Sequence, residues 1–205
     1  MSAFEQLFEV ISTQRACRQF SDQPVDDAAI EALLRAATFA PSSENTQPWV
    51  FVVIRDAHRR AAAGALIAAI WNRFGREYTR ARADDTLFND VDAGLGQGGV
   101  AGAPVLIVVG GDSNLSDRSQ LKASVFPAIQ NLLLAAGALG LGTCLTTIAT
   151  LDTDGARELV GLPAHIDPLA LIPVGYPRRP LGPPRRDSFA TKTHRETYGS
   201  GWAAV

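Results

Sequence analysis

Two arginines separated by two residues are the first feature of this chain that could do chemistry. Arg15 and Arg18 lie in the segment 14–20, QRACRQF, directly after the first predicted helix. Guanidinium groups are planar and permanently charged, so two of them at this spacing can point the same way and hold an anion. The alternative is that both are solvated arginines, favoured at the C-terminal end of a helix by its dipole.

A second cluster is the segment 40–49, APSSENTQPW, which places short hydroxyls and amides between two prolines. Such a loop is stiff and rich in donors and acceptors, and this combination suits recognition of the polar edge of a heterocycle. An ordinary capped turn before a strand is the alternative.

The segment 140–147, GLGTCLTT, is the third cluster. Its glycines permit a close approach of the backbone, and the following N–H groups and threonine hydroxyls could meet the face of a ligand. The alternative is a tight turn from a helix into a strand.

Other catalytic signatures are not found in the sequence. The three histidines, His58, His165 and His194, are far apart, which argues against a metal site. Neither a nucleophile elbow nor a phosphate-binding loop of the P-loop type occurs. The glycines of 94–99, GLGQGG, precede a strand instead of following one, so they predict a flexible loop rather than a dinucleotide fingerprint. We predict no catalytic side chain.

Hydrophobic periodicity predicts the elements that must position these clusters. Helices are expected over 3–14, 26–39, 58–74, 121–139 and 152–160, and strands over 49–54, 104–109 and 170–174, with a short strand within 140–147. The run 49–54, WVFVVI, is typical of a strand buried on both faces. Helices that interleave with short apolar strands predict an α/β or α+β fold with one central sheet covered on both sides.

Two segments leave alternatives open. Residues 75–102 predict a mobile, partly helical excursion, and with 58–74 they form the region that would set substrate choice. Taken singly, the two arginines among its candidate lid residues are better explained as solvated helix surface, and Trp71 and Phe88 as core. The candidates are Trp71, Tyr78, Arg80, Arg82 and Phe88. The helix over 121–139 is apolar nearly all round, which predicts either a central core helix or a subunit interface.

Composition narrows the class of protein. A net charge of −2 argues against nucleic acid or an anionic membrane surface as a partner, and the 46% of apolar residues can form a sizeable core. Two unpaired cysteines, the lack of a signal peptide and the lack of a long uninterrupted apolar run predict a cytoplasmic protein without a membrane span. No linker or repeat divides the chain, so we predict a single domain over 1–205, with about 58–102 as its variable lid.

Taken in order, these clusters resemble the motifs of the nitroreductase family of flavoproteins. The match continues with 172–177, IPVGYP, and with the basic pair Arg185 and Arg186. The resemblance implies an α+β, nitroreductase-like fold in which helices flank a central mixed sheet. It also implies an intertwined homodimer that binds one FMN at each end of the interface.

The resemblance also implies cofactor contacts. Arg15 with Arg185 and Arg186 would hold the FMN phosphate, Arg18 would lie toward the pyrimidine end of the flavin, loop 40–49 would reach the ring from across the dimer, and residues 145–147 would lie against its other side. The cofactor-binding set implied in this way is Arg15, Ala16, Cys17, Arg18, Pro41, Ser42, Ser43, Asn45, Gln47, Leu145, Thr146, Thr147, Arg185 and Arg186. Two departures remove one phosphate contact and one hydroxyl contact, because Gln14 stands where the family has arginine and Ala16 where it has serine.

The function that the resemblance implies is an FMN-dependent oxidoreductase. NADPH or NADH would deliver hydride to the flavin, which would pass it in a ping-pong reaction to a small conjugated electrophile such as a nitroaromatic or a quinone. Arg18 would stabilise negative charge on the reduced flavin. Two alternatives stay open: a flavin-storing or flavin-sensing protein without turnover, and a relative that uses reduced flavin with oxygen or for dehalogenation. Cys17 is either a small packing residue or, between its two arginines, a thiol of lowered pKa.

Overall fold

Aspartate and serine side chains start the helices. Each of six helices begins with a residue whose side chain accepts a hydrogen bond from a backbone N–H of the first turn, which satisfies a donor that the helix itself leaves free. These capping residues are Ser2, Asp26, Asp56, Asp84, Asp117 and Asp152. The helix starts therefore follow directly from the sequence.

The computed structural model describes residues 1–202; residues 203–205, the end of the predicted domain and of its apolar tail, lie outside the described residues. Its helices are α1 Ala3–Thr13, α2 Asp27–Thr38, α3 Ala57–Ile70, α4 Arg76–Arg80, α5 Asp85–Leu95, α6 Arg118–Ala138 and α7 Thr153–Val160. Its strands are β1 Trp49–Ile54, β2 Val105–Asp112, β3 Gly142–Thr143 and β4 Ile166–Gly175. The α+β class predicted from the sequence is confirmed.

The four strands form one sheet in the order β1-β2-β4-β3, and every neighbouring pair is antiparallel. The sheet expected to be mixed is thus antiparallel along its named strands. A parallel pairing is added at its edge by an isolated bridge between Ala16 and Thr143. That bridge brings the arginine segment onto the sheet.

Strand β1 corrects one expectation from the sequence. Its apolar run was expected to be buried on both faces, but Trp49 is half-buried and Val53 is exposed. The reason is position: β1 is the edge of the sheet, whereas β2 and β4 are central and buried almost throughout. An apolar run alone does not distinguish a central strand from an edge strand.

Side chains of β2 alternate between two cores, as the strand period requires. Val105, Ile107 and Val109 face a core formed with α2 and α6, whereas Leu106 and Val108 face a second core formed with α3. Helices therefore cover both faces of the sheet, as the interleaved pattern predicted.

Helix α6 is a central core helix. By length and composition it could cross a membrane, but its residues Leu121, Val125, Ile129 and Leu132 are almost fully buried against the sheet and α2. A core helix of this kind has the same composition as a membrane span. The core interpretation of 121–139 is confirmed, and the structure leaves its other faces open to a further partner.

The excursion after β1 is largely helical. Helix α3 continues through one π-helical turn, Trp71–Gly75, into α4, and α5 follows. Trp71 and Phe88 are buried, and the indole N–H of Trp71 donates to Asp92 Oδ1 at 2.8 Å. These two candidate lid residues therefore belong to the core.

The three other lid candidates, Tyr78, Arg80 and Arg82, lie in or beside α4. Tyr78 is exposed, and the Arg82 guanidinium stacks over its ring. The Arg80 guanidinium stacks over the ring of Phe88 and is ion-paired with Asp85. These surface positions are compatible with either interpretation of the segment.

Helix α1 presents an unpartnered apolar face. Its residues Phe4, Leu7, Phe8 and Ile11 recur at helical spacing, yet all four are exposed, with Phe4 at 72%. Contiguous apolar surface of this kind marks an interaction site on a protein surface.

Candidate functional site

Residues 15–20 run along the sheet as an extended strip. Gln14 ends helix α1, and its own backbone is already extended. Ala16 then pairs in parallel with Thr143, and the Cys17 N–H donates to the Thr143 carbonyl at 2.8 Å. The two arginines predicted at a helix end therefore lie on extended backbone, where sheet hydrogen bonds fix their position.

Gly142 of β3 permits this close pairing. A Cβ atom at this position would lie 2.7 Å from both the Cβ and the Sγ of Cys17. The glycine of the third cluster thus makes room for the first cluster instead of for a ligand.

We call residues 15–20 the arginine strip. The segment 176–182 borders the side of this strip opposite to Thr143. Phe20 bridges to Pro177, and the Arg178 N–H donates to the Gln19 carbonyl at 3.1 Å. At the far end, Nη1 of Arg15 donates to the Gly182 carbonyl at 3.0 Å. The Pro/Arg-rich segment is therefore held against the strip along its length.

A cavity of about 280 Å³ lies between these two segments and α5. It is lined by Arg15, Ala16, Cys17, Arg18, Gln19, Asp90, Arg179, Pro180, Leu181 and Gly182. Three arginines and one aspartate thus contribute to the cavity lining, and this donor set is chemically suited to an anion such as a phosphate.

Arg18 is already ion-paired within this cavity. Its Nη1 lies 2.6 Å from Oδ2 of Asp90, with 17% and 32% of the two side chains exposed. Helix α5 packs closely against the same arginine, since a Cβ atom added at Gly94 would lie 2.7 Å from Arg18 Cδ. Arg18 is therefore anchored by the excursion, and its charge is partly compensated.

Both cysteines lie beside the cavity, and neither is activated. Cys17 is 1% exposed, and its burial raises the pKa of the thiol to about 11. Burial also raises the pKa of Cys144, although Arg18 acts in the opposite direction. The packing interpretation of Cys17 is thus favoured over a thiol of lowered pKa, since desolvation outweighs the neighbouring charges.

Loop 40–49 does not line the cavity. Ser42 accepts from the Gln47 N–H, and the Ser43 N–H donates to the buried Ser124 Oγ at 3.0 Å. Asn45 and Gln47 are exposed and have positive φ angles of 55° and 50°, and Glu44 shares this left-handed backbone. The structure therefore does not bring the predicted residues of this loop to the cavity at the arginine strip: Pro41, Ser42, Ser43, Asn45 and Gln47.

The group at 145–147 is divided by the structure. Thr146 is buried, its N–H and carbonyl pair with Leu171, and its hydroxyl lies 3.4 Å from the Cys144 carbonyl. Leu145 and Thr147 are exposed, and their N–H groups have no protein acceptor among residues 1–202. The N–H groups of Leu145 and Thr147 are therefore available to a ligand, whereas the N–H of Thr146 is already paired with Leu171.

Arg185 and Arg186 do not line the cavity. Both are exposed, and Nη1 of Arg186 donates to the carbonyl of Arg185 at 2.8 Å. Of the lining residues that the sequence did not predict, two are charged, Arg179 and Asp90. Segment 177–186 contains two pairs of arginines, 178–179 and 185–186, and the sequence does not indicate which pair lines the cavity. No sequence pattern indicates Asp90.

The chain is similar to known proteins over most of its length. The family model described as "Nitroreductase family" matches residues 11–176. A Methanothermobacter thermautotrophicus protein with the provisional name NADH dehydrogenase/NAD(P)H nitroreductase is 31% identical, over 89% of this chain and 82% of that relative. The 5,6-dimethylbenzimidazole synthase of Rhodospirillum rubrum is 30% identical, over 89% and 87%.

A solved structure shares the same architecture. It is a provisionally named nitroreductase in complex with FMN from Desulfovibrio desulfuricans, similar with a TM-score of 0.73 and 27% identity over 94% of this chain and 97% of that one. The structural likeness therefore extends over nearly the whole of both chains.

Proposed function

The chain belongs to the nitroreductase family, and we propose that it is an FMN-dependent oxidoreductase that takes hydride from NADH or NADPH. The observation that carries the proposal is the cavity at the arginine strip that Arg15, Arg18 and Arg179 all line. The FMN named for the Desulfovibrio desulfuricans structure supports the choice of cofactor.

The residues present fit one end of FMN. The cavity of about 280 Å³ is slightly smaller than the roughly 300–1,000 Å³ of most ligand pockets, so it suits the phosphate and ribityl part better than the whole cofactor. The predicted contacts of Arg15, Ala16 and Cys17 belong to this part of the proposed site, and Arg18, which lines the same cavity, would lie toward the pyrimidine end of the flavin. The exposed N–H groups of Leu145 and Thr147 would serve the flavin ring beyond it.

FMN, when bound, would supply the hydride chemistry that passes from a nicotinamide to a small conjugated electrophile such as a nitroaromatic or a quinone. The protein would bind and orient the cofactor. Arg18, held by Asp90 at 2.6 Å, would keep a fixed position at the cavity while its charge stays partly shielded. No acid–base side chain is needed in this proposal.

The second half of the site would come from another copy of the chain. The apolar face of α1 is exposed, and loop 40–49 does not line the cavity at the arginine strip of its own chain. An intertwined homodimer would bury the apolar face of α1. It would also bring Ser42, Ser43 and Asn45 of the loop to the flavin of the partner subunit. C₂ dimers are the commonest soluble oligomers, and they pair one patch with itself.

Anaerobic reduction tests the proposed function. Protein reconstituted with FMN should lose its flavin absorbance on addition of NADH or NADPH and regain it when a nitroaromatic or quinone is added. FMN that binds but is reduced by neither nucleotide would contradict the proposal and favour a storage or sensing role.

Two further expectations from the sequence remain predictions: that residues 1–205 form a single domain, and that the protein is cytoplasmic.

A further inference from the structure

Gln14 brings no charge to the cavity, and Arg18 is committed to Asp90. A phosphomonoester carries a charge of about −1.5 to −2 at neutral pH, so one remaining arginine would leave it poorly balanced. A second free guanidinium is therefore expected near Arg15.

We infer that Arg179 is that residue: with Arg15 it binds the phosphate of FMN, an inference that rests on the proposed function. Arg179 lines the same cavity as Arg15. Among the residues that the structure describes, no carboxylate lies within 4.0 Å of either side chain. Both therefore have charge available for an anion.

The backbone around Arg179 is held in place. Arg178 bonds to Gln19 through its N–H, Gly182 accepts from Arg15, and Pro180 restricts the chain between them. Arg15 donates only one of its five N–H groups to Gly182, so the others stay free for a phosphate. The two guanidinium groups are thus carried by segments that bind each other, which limits the entropy lost on binding.

Charge arithmetic favours the same assignment. Three guanidinium groups and one carboxylate leave the cavity with two positive charges, which match a phosphate dianion. Arg185 and Arg186 lie outside the cavity lining. Within the chain, Arg179 is thus better placed for the phosphate than the pair that the sequence resemblance assigned.

Affinity for FMN compared with riboflavin tests the inference, because the two ligands differ only in the phosphate. Dissociation constants would be measured by fluorescence titration for wild type, Arg179→Gln and the neighbouring control Arg178→Gln, whose side chain does not line the cavity. Arg179→Gln should weaken FMN binding about ten- to a hundredfold and leave riboflavin binding unchanged. Arg178→Gln should change neither.

The outcomes separate this inference from the proposed function. Equal FMN affinities for wild type and Arg179→Gln, with wild type still preferring FMN to riboflavin, would overturn only the role of Arg179. A loss of FMN preference in Arg185→Gln or Arg186→Gln but not in Arg179→Gln would return the phosphate to that pair. A wild type that binds neither flavin would overturn the proposed function together with the inference. Since Arg179 is exposed, Arg179→Gln should keep the wild-type circular dichroism and Tm.

Discussion

The arginine strip 15–20 and the loop 40–49 are both predicted to contact FMN, but the two segments are held in the fold differently. Backbone hydrogen bonds hold the strip on both sides, through Thr143 and through Arg178. The loop has three non-glycine residues with positive φ; its middle is tied to the core by the Ser43–Ser124 hydrogen bond, and its end by the bond from the Asp112 N–H to the Pro48 carbonyl at 2.7 Å.

This difference indicates which half of the proposed site one chain completes. The strip, its cavity and its charges are formed within the chain, whereas the loop does not line that cavity and leaves Asn45 and Gln47 exposed. Left-handed backbone at non-glycine residues costs about 1–3 kcal/mol each and persists where the surroundings fix it, often at binding sites. We therefore propose that the strip binds the flavin of its own chain and that the loop contacts the flavin of a partner subunit.

The largest expected effect comes from a charge on the exposed face of α1. Phe8→Asp should convert a dimer into a monomer and weaken FMN binding by more than a hundredfold, because an unpaired charge would be buried at the proposed interface. Light scattering and flavin titration would measure both changes. Gln6→Glu, on the polar side of the same helix, should have no effect; a Phe8→Asp protein that stays dimeric would remove α1 from the interface.

Gly94→Ala tests how firmly the strip is held. The added Cβ would lie 2.7 Å from Cδ and 2.8 Å from Cβ of Arg18, so α5 and Arg18 must separate. Overpacking of this kind costs about 1–3 kcal/mol of unfolding free energy, a fall of several degrees in Tm. Gly201→Ala, where a Cβ meets open space, is the control. An unchanged Tm for Gly94→Ala would mean that the contact is loose.

Ser124→Ala applies the same test to the loop. The change removes the acceptor of the Ser43 N–H and should cost about 1–2 kcal/mol of unfolding free energy. It should also weaken FMN binding in the dimer without changing the oligomeric state. Calorimetry and titration would check this; an FMN affinity equal to that of wild type would separate the loop from the cofactor.

The smallest effect concerns pH. Burial raises the pKa of Cys17 to about 11, so between pH 9 and 11 the folded state binds the thiol proton more tightly than the unfolded state. The stabilising contribution is complete below pH 9 and is lost as pH rises through 11, about 1 kcal/mol by pH 10. Urea unfolding at pH 7.5 and 10 should show a smaller loss in Cys17→Ala. The same loss in both proteins would mean that Cys17 is not held buried in the strip.

Much of the fold was predictable because it is local. Hydrophobic periodicity predicted five of the helices and the central strands, whereas the residue types of QRACRQF made it a candidate anion site and left two solvated arginines as the alternative. The edge position of β1 was not predictable, since an apolar run does not report its neighbours in a sheet.

The partners within the site depend on long-range register. Asp90 meets Arg18 from 72 residues away. Which arginine of 177–186 faces the cavity is decided by the bridge between Phe20 and Pro177. Neither contact leaves a pattern in sequence spacing.

A site shared between two copies of the chain is tested by light scattering combined with absorbance at flavin wavelengths across a size-exclusion peak of FMN-reconstituted protein. We expect one peak at twice the 21.8 kDa mass of the chain, with one flavin bound per chain. A colourless monomer, or a flavin-loaded monomer with undiminished affinity, would contradict a site completed by a second copy of the chain.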